Sequence, residues 1–259
     1  GNFSTRVGSE IKGQGEISDL GRDFDFMAER IETLITTQKR LLGDISHELR
    51  SPLARMSVAL ELARQRSGNE ASGALERIEV EANQLNEMIG QLLSLAQLET
   101  DTGSYRQERF DLSALLRLVV QDADFEAKGH GRAVEITFCD QVQIEGPEEM
   151  LRRAIENVVR NAVKYTDEGT TVNVSLQVDK GNQRVQLRVC DQGPGVPQEL
   201  LEKLFEPFFR VADARDRESG GTGLGLAIAD RAIRLSGGTI RAMNRPEGGL
   251  EVLISLPLY

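Results

Sequence analysis

The chain has 259 residues, more than one compact unit usually holds, so we expect two or three domains. The formal net charge of −10 argues against a general binder of nucleic acid or of anionic membranes. No apolar run approaches the ~18 residues that a membrane-spanning helix needs, and no signal peptide is recognisable. Cys139 and Cys190 stand in apolar stretches without metal or disulfide spacing, which predicts buried thiols in a reducing compartment. The first residue is glycine, and we expect a missing upstream portion.

The first half of the chain predicts two long helices. Apolar residues recur at steps of three and four over residues 16–66, and a polar turn follows at 67–69. The second helix then repeats more regularly, with its seam at Leu75, Ile78, Ala82, Leu85, Ile89, Leu92 and Ala96. Neither helix can bury so long a seam alone, so pairing with a second copy in a dimeric four-helix bundle is favoured. The alternative is a monomeric hairpin packed against another domain.

After residue 104 short strands alternate with helices. Helices are predicted over 110–127, over 147–165 with Pro147 in the first turn, and over 223–235. Strands are predicted over 134–138, 142–145, 172–178, 185–190, 239–243 and 250–256. This pattern indicates an α+β two-layer sandwich, with a sheet on one side and helices on the other.

The first candidate for chemistry is His47, one of two histidines, which lies outside the apolar seam of the first helix. A neutral imidazole is a competent nucleophile, and the neighbouring Glu48 carboxylate would raise its basicity and fix its tautomer. Pro52 removes a backbone amide, so a bend is expected just past the histidine. Taken alone, a histidine on a polar helix face is usually only a solvated side chain.

The second candidate is the polar face of the predicted helix 147–165. Asn157 and Asn161 are four residues apart, so their amides share one face, and amide oxygens suit a hard cation such as Mg²⁺. Lys164 could meet phosphate charge, and Tyr165 offers a flat ring at the helix end. The alternative is an ordinary polar helix face.

Two glycine loops follow. Asp191 begins the first loop at a strand end, where a carboxylate could accept a hydrogen bond from an exocyclic amine such as that of adenine. The second loop, residues 220–226, opens directly into a helix whose N-terminus would favour an anion. Its spacing matches neither a dinucleotide-binding loop nor a P-loop. Residues 205–210 supply apolar anchors between the loops, and residues 211–219 are interpreted as a mobile lid.

Together these motifs resemble the sensor histidine kinases of bacterial two-component systems. Residues 45–53 resemble the phosphoacceptor box, 157–165 the Asn box, 191–196 the first glycine box, 205–209 the Phe box and 220–226 the second glycine box. All five occur in the family's order, over residues 16–259. Within the family, residues 214–221 and 256–259 are most similar to the Cpx-type envelope-stress sensors.

The resemblance implies a role for each matching residue. His47 would be phosphorylated, with Glu48 as its base. Ser51 stands where the family usually has Thr or Asn to position the hydrolytic water, and because serine keeps a hydroxyl, phosphatase activity toward the phosphorylated regulator is also implied. Asn161 and Asn157 would hold Mg²⁺. ATP contacts are implied for Asn157, Asn161, Lys164, Tyr165, Asp191, Gly193, Gly195, Phe205, Phe208, Arg210, Gly221, Thr222, Gly223, Leu224 and Gly225.

The resemblance also implies an organisation and partners. Residues 1–35 would be the second helix of a HAMP-like signal relay, 36–102 a dimerisation and phosphotransfer hairpin, and 103–259 a catalytic ATP-binding domain of the GHKL type. The expected partners are a second copy of the chain and a response-regulator receiver domain, with no nucleic acid. The expected location is the cytoplasmic side of a bacterial inner membrane, reached through the missing upstream segment.

Two other functions remain open. One is a dimeric scaffold that binds ATP but transfers nothing. The other is an ATPase of the gyrase or heat-shock chaperone type, which uses a glutamate of the Asn-box helix. Glu156 precedes Asn157 by one residue and would face ~100° away from it on an α-helix, which disfavours the second alternative.

Overall fold

The computed structural model describes residues 24–27, 49, 52–63, 69–100, 107–211 and 221–258. The chain divides into two compact units, residues 1–85 and 86–259. His47, Glu48 and Ser51 lie outside the described residues, as does most of the predicted lid. Within the described ranges, no helix combines the length and apolar character needed to cross a bilayer.

The first unit contains helical residues at 24–27 and 52–63, and the beginning of helix α1, Asn69–Thr100. A bidentate ion pair joins the segment 52–63 to α1, since Nε and Nη2 of Arg55 lie 2.6 and 2.9 Å from the carboxylate oxygens of Glu81. Glu81 is buried, so this pairing satisfies a charge that would otherwise be costly. The predicted seam is exposed here: Leu53, Leu60 and Leu75 all face solvent.

The second unit carries the remaining elements. Its helices are the second half of α1, then α2 (Leu112–Lys128), α3 (Glu148–Tyr165) and α4 (Gly225–Leu235). Its strands are β1 (Glu108–Asp111), β2 (Ala133–Cys139), β3 (Gln143–Gly146), β4 (Thr171–Asp179), β5 (Arg184–Cys190), β6 (Thr239–Asn244) and β7 (Leu250–Pro257). Short 3₁₀ helices occupy Gln198–Leu200 and Glu202–Phe205.

Three predicted helix starts differ from the structure. Phe110 belongs to β1, and helix α2 begins only at Leu112 because Asp111 caps it, its carboxylate accepting the Ala114 N–H at 3.0 Å. Pro147 is the residue before α3 rather than a member of its first turn. Helix α4 begins at Gly225, two residues later than expected.

The main sheet has five strands in the order β2-β4-β5-β7-β6. Strands β2 and β4 are parallel, whereas the other neighbours are antiparallel. Alternate residues of β4 and β5 are buried, including Val172, Val174, Leu176, Val185 and Leu187, and the helices cover this apolar face. The predicted two-layer α+β sandwich is confirmed.

The two cysteines differ from the expectation of burial. Cys139 and Cys190 are free thiols of intermediate exposure, because each ends a strand at the rim of the sheet.

Candidate functional site

The polar face of α3 forms one wall of the site. The opposite face of the helix is fully buried, with Ile155, Val158 and Val159 in the core, so Asn157 and Asn161 are turned towards the rim. A Cβ on Gly225 would lie 3.3 Å from Oδ1 of Asn157. The first residue of α4 therefore lies against Asn157.

Asp191 is the buried acid of the site, with only 4% of its surface exposed. Its Oδ1 accepts the backbone N–H of Gly193 at 3.0 Å and that of Leu250 at 2.9 Å. Within the described part of the chain, Oδ2 accepts no hydrogen bond. Burial raises the pKa of the Asp191 carboxyl above its ordinary value, although the two amide hydrogen bonds act against that shift. One carboxylate oxygen thus holds the loop, and the other remains available to a ligand.

The first glycine loop is packed so closely that it excludes side chains. A Cβ on Gly193 would lie 2.1 Å from the carbonyl oxygen of Tyr165. Gly249, at φ +87°, is equally constrained, because its Cβ would lie 2.1 Å from the carbonyl oxygen of Asp191. Gly249 was not among the residues predicted for the site, although it lies directly behind the buried acid.

Two further residues that the sequence analysis missed hold the same loop. Asn244 accepts the N–H of Val196 at 2.9 Å and donates to the Val196 carbonyl at 2.6 Å. Arg245 donates from Nη1 to the carbonyl of Asp191 at 2.9 Å. Asn244 ends β6 and Arg245 follows it, so the loop of Asp191 and Gly195 is positioned by a hairpin about fifty residues away in sequence.

The Phe box and the second glycine loop are joined directly. The N–H of Phe208 donates to the carbonyl of Gly223 at 3.0 Å. Phe208 has φ +62°, a backbone conformation that is unusual for a bulky residue. Gly223 has φ +72°, and its Cβ would lie 2.8 Å from the carbonyl carbon of Phe208. Strain of this kind is concentrated at functional sites.

Two cations face the same region. Burial lowers the pKa of Lys164 below its ordinary value, and the positive charge of Arg210 lowers it further, while Glu87 of α1 opposes the shift. The Lys164 ammonium also lies 5.2 Å from the centre of the Tyr165 ring. Lys164 is half-buried and Arg210 is exposed, and two positive charges near one another favour a polyanionic ligand.

The other predicted residues are distributed around this core. Phe205 ends the second 3₁₀ helix and is half-buried, and Gly221 is also half-buried beside the loop. The hydroxyl of Thr222 donates to Gln91 of α1. Leu224 is fully buried, so its side chain anchors the loop in the core and only its backbone could face a ligand.

Glu156 belongs to a different surface. It lines a groove between α2 and α3 together with Asp122 and Arg160, rather than facing Asn157 and Asn161. The glutamate that a gyrase-type ATPase mechanism would require is therefore turned away from the glycine loops.

A helix-covered mixed sheet, with an asparagine helix, a buried acid and two glycine loops at one rim, defines a nucleotide-binding class of ATPase domain. The family model described as "Histidine kinase-, DNA gyrase B-, and HSP90-like ATPase" matches residues 146–259. The model "His Kinase A (phospho-acceptor) domain" matches residues 37–101. With both models present in this order, the chain belongs to the sensor histidine kinases.

The curated relatives narrow this further. The sensor histidine kinase CpxA of Escherichia coli (strain K12) is 42% identical over 248 residues, covering 95% of this chain and 53% of that protein. The signal transduction histidine-protein kinase BaeS of the same organism is 31% identical over 261 residues, covering 100% of this chain and 54% of that protein. The resemblance to Cpx-type sensors is confirmed. The chain spans about half the length of these relatives.

Solved structures agree with the fold. Full-length ShkA in complex with AMPPNP gives a TM-score of 0.62 at 27% identity, covering 84% of this chain and 45% of that one. The mycobacterial sensor histidine kinase MprB gives 0.51 at 29% identity, covering 59% of this chain and 97% of that one.

Proposed function

We propose that the chain transfers the γ-phosphoryl group of ATP to His47 and then passes it to an aspartate of a response-regulator receiver domain. The observation that carries this proposal is the buried carboxylate of Asp191, whose Oδ2 accepts no hydrogen bond from the described residues, in a chain that also matches a phosphoacceptor domain. The complex of ShkA with AMPPNP supports nucleotide binding at a fold of this kind.

The adenine would lie in the first glycine loop. Oδ2 of Asp191 would accept the exocyclic amine, and Tyr165, 44% exposed at the end of α3, would stack on the ring. Gly193 and Gly195 would form the pocket floor, where a Cβ would displace backbone or Asn244. Recognition of the base thus needs one carboxylate oxygen and a close backbone approach.

The phosphates would lie towards α4. Lys164 and Arg210 would neutralise negative charge, and the free backbone N–H groups at the start of α4 would point at it. Gly221, Thr222, Gly223 and Gly225 would let the backbone approach, while Phe205, Phe208 and the backbone of Leu224 would fix the shape of the loop.

Mg²⁺ would be held by the amide oxygens of Asn161 and Asn157. The described residues contain no cluster of His, Cys, Asp and Glu suited to a metal, so a cation here would depend on amide, phosphate and water oxygens. When bound, the cation would neutralise charge that develops on the transferred group.

His47 would attack the γ-phosphorus with a neutral ring nitrogen. A P–N bond forms, the bond from phosphorus to the β–γ bridging oxygen breaks, and ADP leaves with that electron pair. Glu48 would accept the proton from the other ring nitrogen and hold the tautomer. The remaining work is positioning, which can supply a large part of a phosphoryl-transfer rate.

The proposal extends to the assembly. The exposed seam residues Leu53, Leu60, Leu75 and Ile89 would pair with a second copy of the hairpin 36–102, and residues 103–259 would form the catalytic domain. Residues 1–35 would relay a signal from an upstream membrane segment, and this chain would then lie on the cytoplasmic side. Ser51 keeps a hydroxyl that could orient water for hydrolysis of the regulator's aspartyl phosphate.

Incubation with γ-labelled ATP tests the acceptor. His47→Ala should abolish the acid-labile, alkali-stable label, whereas His130→Ala should retain it, since His130 is an exposed side chain in the turn after α2. Label that persists in His47→Ala would refute the assignment. Release of free phosphate without labelled protein would instead favour an ATPase, and binding without either product would favour a scaffold.

A further inference from the structure

The second half of α1 packs within the unit of residues 86–259 through an apolar stripe that is separate from the exposed seam. Met88, Leu95 and Leu98 are 6%, 5% and 7% exposed, whereas Ile89 and Leu93 are 46% and 60% exposed. The buried stripe recurs at steps of seven and three, as one helix face requires. This helix therefore has one face towards the catalytic unit and another open to solvent.

The end of this helix is fastened by α4. Nε of Arg231 donates to the carbonyl oxygen of Leu98 at 3.2 Å, one of the last-turn carbonyls that lack a partner within their own helix. The last turn of α1 carries no basic residue of its own, so Arg231 supplies the favourable cation. Leu98 also lines a groove with Ile228 and Ala232 of α4.

About two turns before Leu98, the helix contacts the second glycine loop through Gln91. The hydroxyl of Thr222 donates to Oε1 of Gln91, and Nε2 of Gln91 donates to Glu87 at 3.4 Å. Glu87 is also near enough to Lys164 to oppose the lowering of its pKa. Hydrogen bonds thus connect Thr222 to Gln91 and Gln91 to Glu87, and the negative charge of Glu87 attracts the Lys164 ammonium.

We propose that α1 is a latch on the nucleotide site, with Gln91 occupying the hydroxyl of Thr222 and Glu87 providing a negative charge that competes with phosphate for Lys164. The inference rests on the proposed function, because it assigns a regulatory contact to the same ATP site. Nucleotide binding and helix docking then oppose one another. By linkage, each lowers the affinity of the other by the same factor.

The test measures binding of a non-hydrolysable ATP analogue with Mg²⁺ to the full chain. The double variant Glu87→Gln/Gln91→Ala should bind roughly three- to tenfold more tightly than the parent, the range expected when a hydrogen bond and a partly screened charge pair are removed. The matched controls Glu79→Gln and Asn83→Ala, exposed positions on the same helix, should leave the affinity unchanged. Circular dichroism would confirm that helix content is retained in all variants.

Hydrogen exchange provides a second readout. Saturating analogue should accelerate amide exchange over residues 86–98 in the parent, and the double variant should exchange rapidly there without nucleotide. Equal or weaker binding by the double variant, or slower exchange on adding nucleotide, would overturn the latch while leaving the kinase assignment in place. If the parent and every variant fail to bind the analogue, the proposed function fails and the latch fails with it.

Discussion

The Oδ1 atom of Asp191 accepts the backbone N–H of Leu250, 2.9 Å away and 59 residues later in the chain. The same oxygen accepts the N–H of Gly193, so one atom secures both the loop and the last hairpin. This division of work between the two carboxylate oxygens allows their structural and binding roles to be separated.

Asp191→Asn should impair nucleotide binding far more than folding. The asparagine oxygen can still accept both amides, but an NH₂ group replaces Oδ2 and would meet the adenine amine donor to donor. We expect a loss of affinity on the order of tenfold to a hundredfold and a change in unfolding free energy within about 1 kcal/mol. Titration calorimetry and thermal unfolding would measure these quantities. Asp122→Asn, the same charge change at an exposed position on α2, should alter neither; a similar loss there would point to a general charge effect.

Gly193→Ala should destabilise the fold. The added Cβ would lie 2.1 Å from the Tyr165 carbonyl, and because that atom is backbone, helix α3 or the loop must move. We expect the free energy of unfolding to fall by about 2–4 kcal/mol, with a parallel loss of nucleotide binding. Gly181→Ala is the matched control, since its nearest neighbour, the Asp179 side chain, would be 3.5 Å away. Urea unfolding measures the stability of both variants. Equal free energies of unfolding for Gly193→Ala and Gly181→Ala would contradict the prediction and show that the loop accommodates the added Cβ.

Glu156→Gln should leave phosphorylation of the chain unchanged, because Glu156 lines the groove between α2 and α3. Asn161→Ala should reduce the rate of phosphorylation by at least about a hundredfold if the Asn161 amide positions the cation. Initial rates with γ-labelled ATP, measured at several Mg²⁺ concentrations, compare the two variants. A strong defect in Glu156→Gln would revive the gyrase-type mechanism.

Cys190 should react slowly with alkylating reagents despite its intermediate exposure. Burial raises the pKa of its thiol from 9.0 to about 11, with the nearby Glu251 charge as the second cause. At pH 8 the thiolate fraction is then on the order of one in a thousand. The rate of alkylation at Cys190, followed by mass spectrometry, should rise with pH towards that pKa. Glu251→Gln should accelerate the reaction at pH 8, and Glu135→Gln, two strands away, should not.

The same thiol gives a pH dependence of stability. Its folded pKa lies above the unfolded value, so between about 9 and about 11 the unfolded chain loses the proton while the folded chain retains it. This contribution to the free energy of unfolding is present below pH 9 and is lost as the pH rises through 11. In Cys190→Ser the free energy of unfolding should no longer fall between pH 9 and 11 for this reason. Chemical unfolding at several pH values measures it, and the same pH dependence in the parent and the variant would contradict the prediction.

The residues that the sequence could identify carry their chemistry in local patterns. Asn157, Asn161, Asp191 and the glycines could be placed because helix spacing and strand ends decide where such side chains point. The partners of Asp191 could not be predicted, because Arg245 and Leu250 are 54 and 59 residues away in sequence and are brought to it by strand pairing. Strand β1 was missed because only one of its four residues, Phe110, is buried, which leaves no alternation to detect.

Helix α1 was predicted from the sequence, but its second buried face was not. The regular apolar spacing of Leu85, Ile89 and Leu92 predicted a single buried face. Met88 and Leu95 fall between those positions, and nothing in a single helix says whether such residues meet a neighbouring unit or water. Their burial depends on where α4 lies, which is a property of the folded unit.

The position of β7 between β5 and β6 has a consequence for protein synthesis. A ribosome delivers β5 well before β7, so the nascent chain holds an open, apolar strand edge until residues 250–257 have emerged. Asp191, the proposed acceptor for adenine, also lacks its hydrogen bond from Leu250 until that residue arrives. A premature stop before that point should yield aggregating, chaperone-bound polypeptide instead of a weakened enzyme, so ATP cannot be recognised by an unfinished molecule.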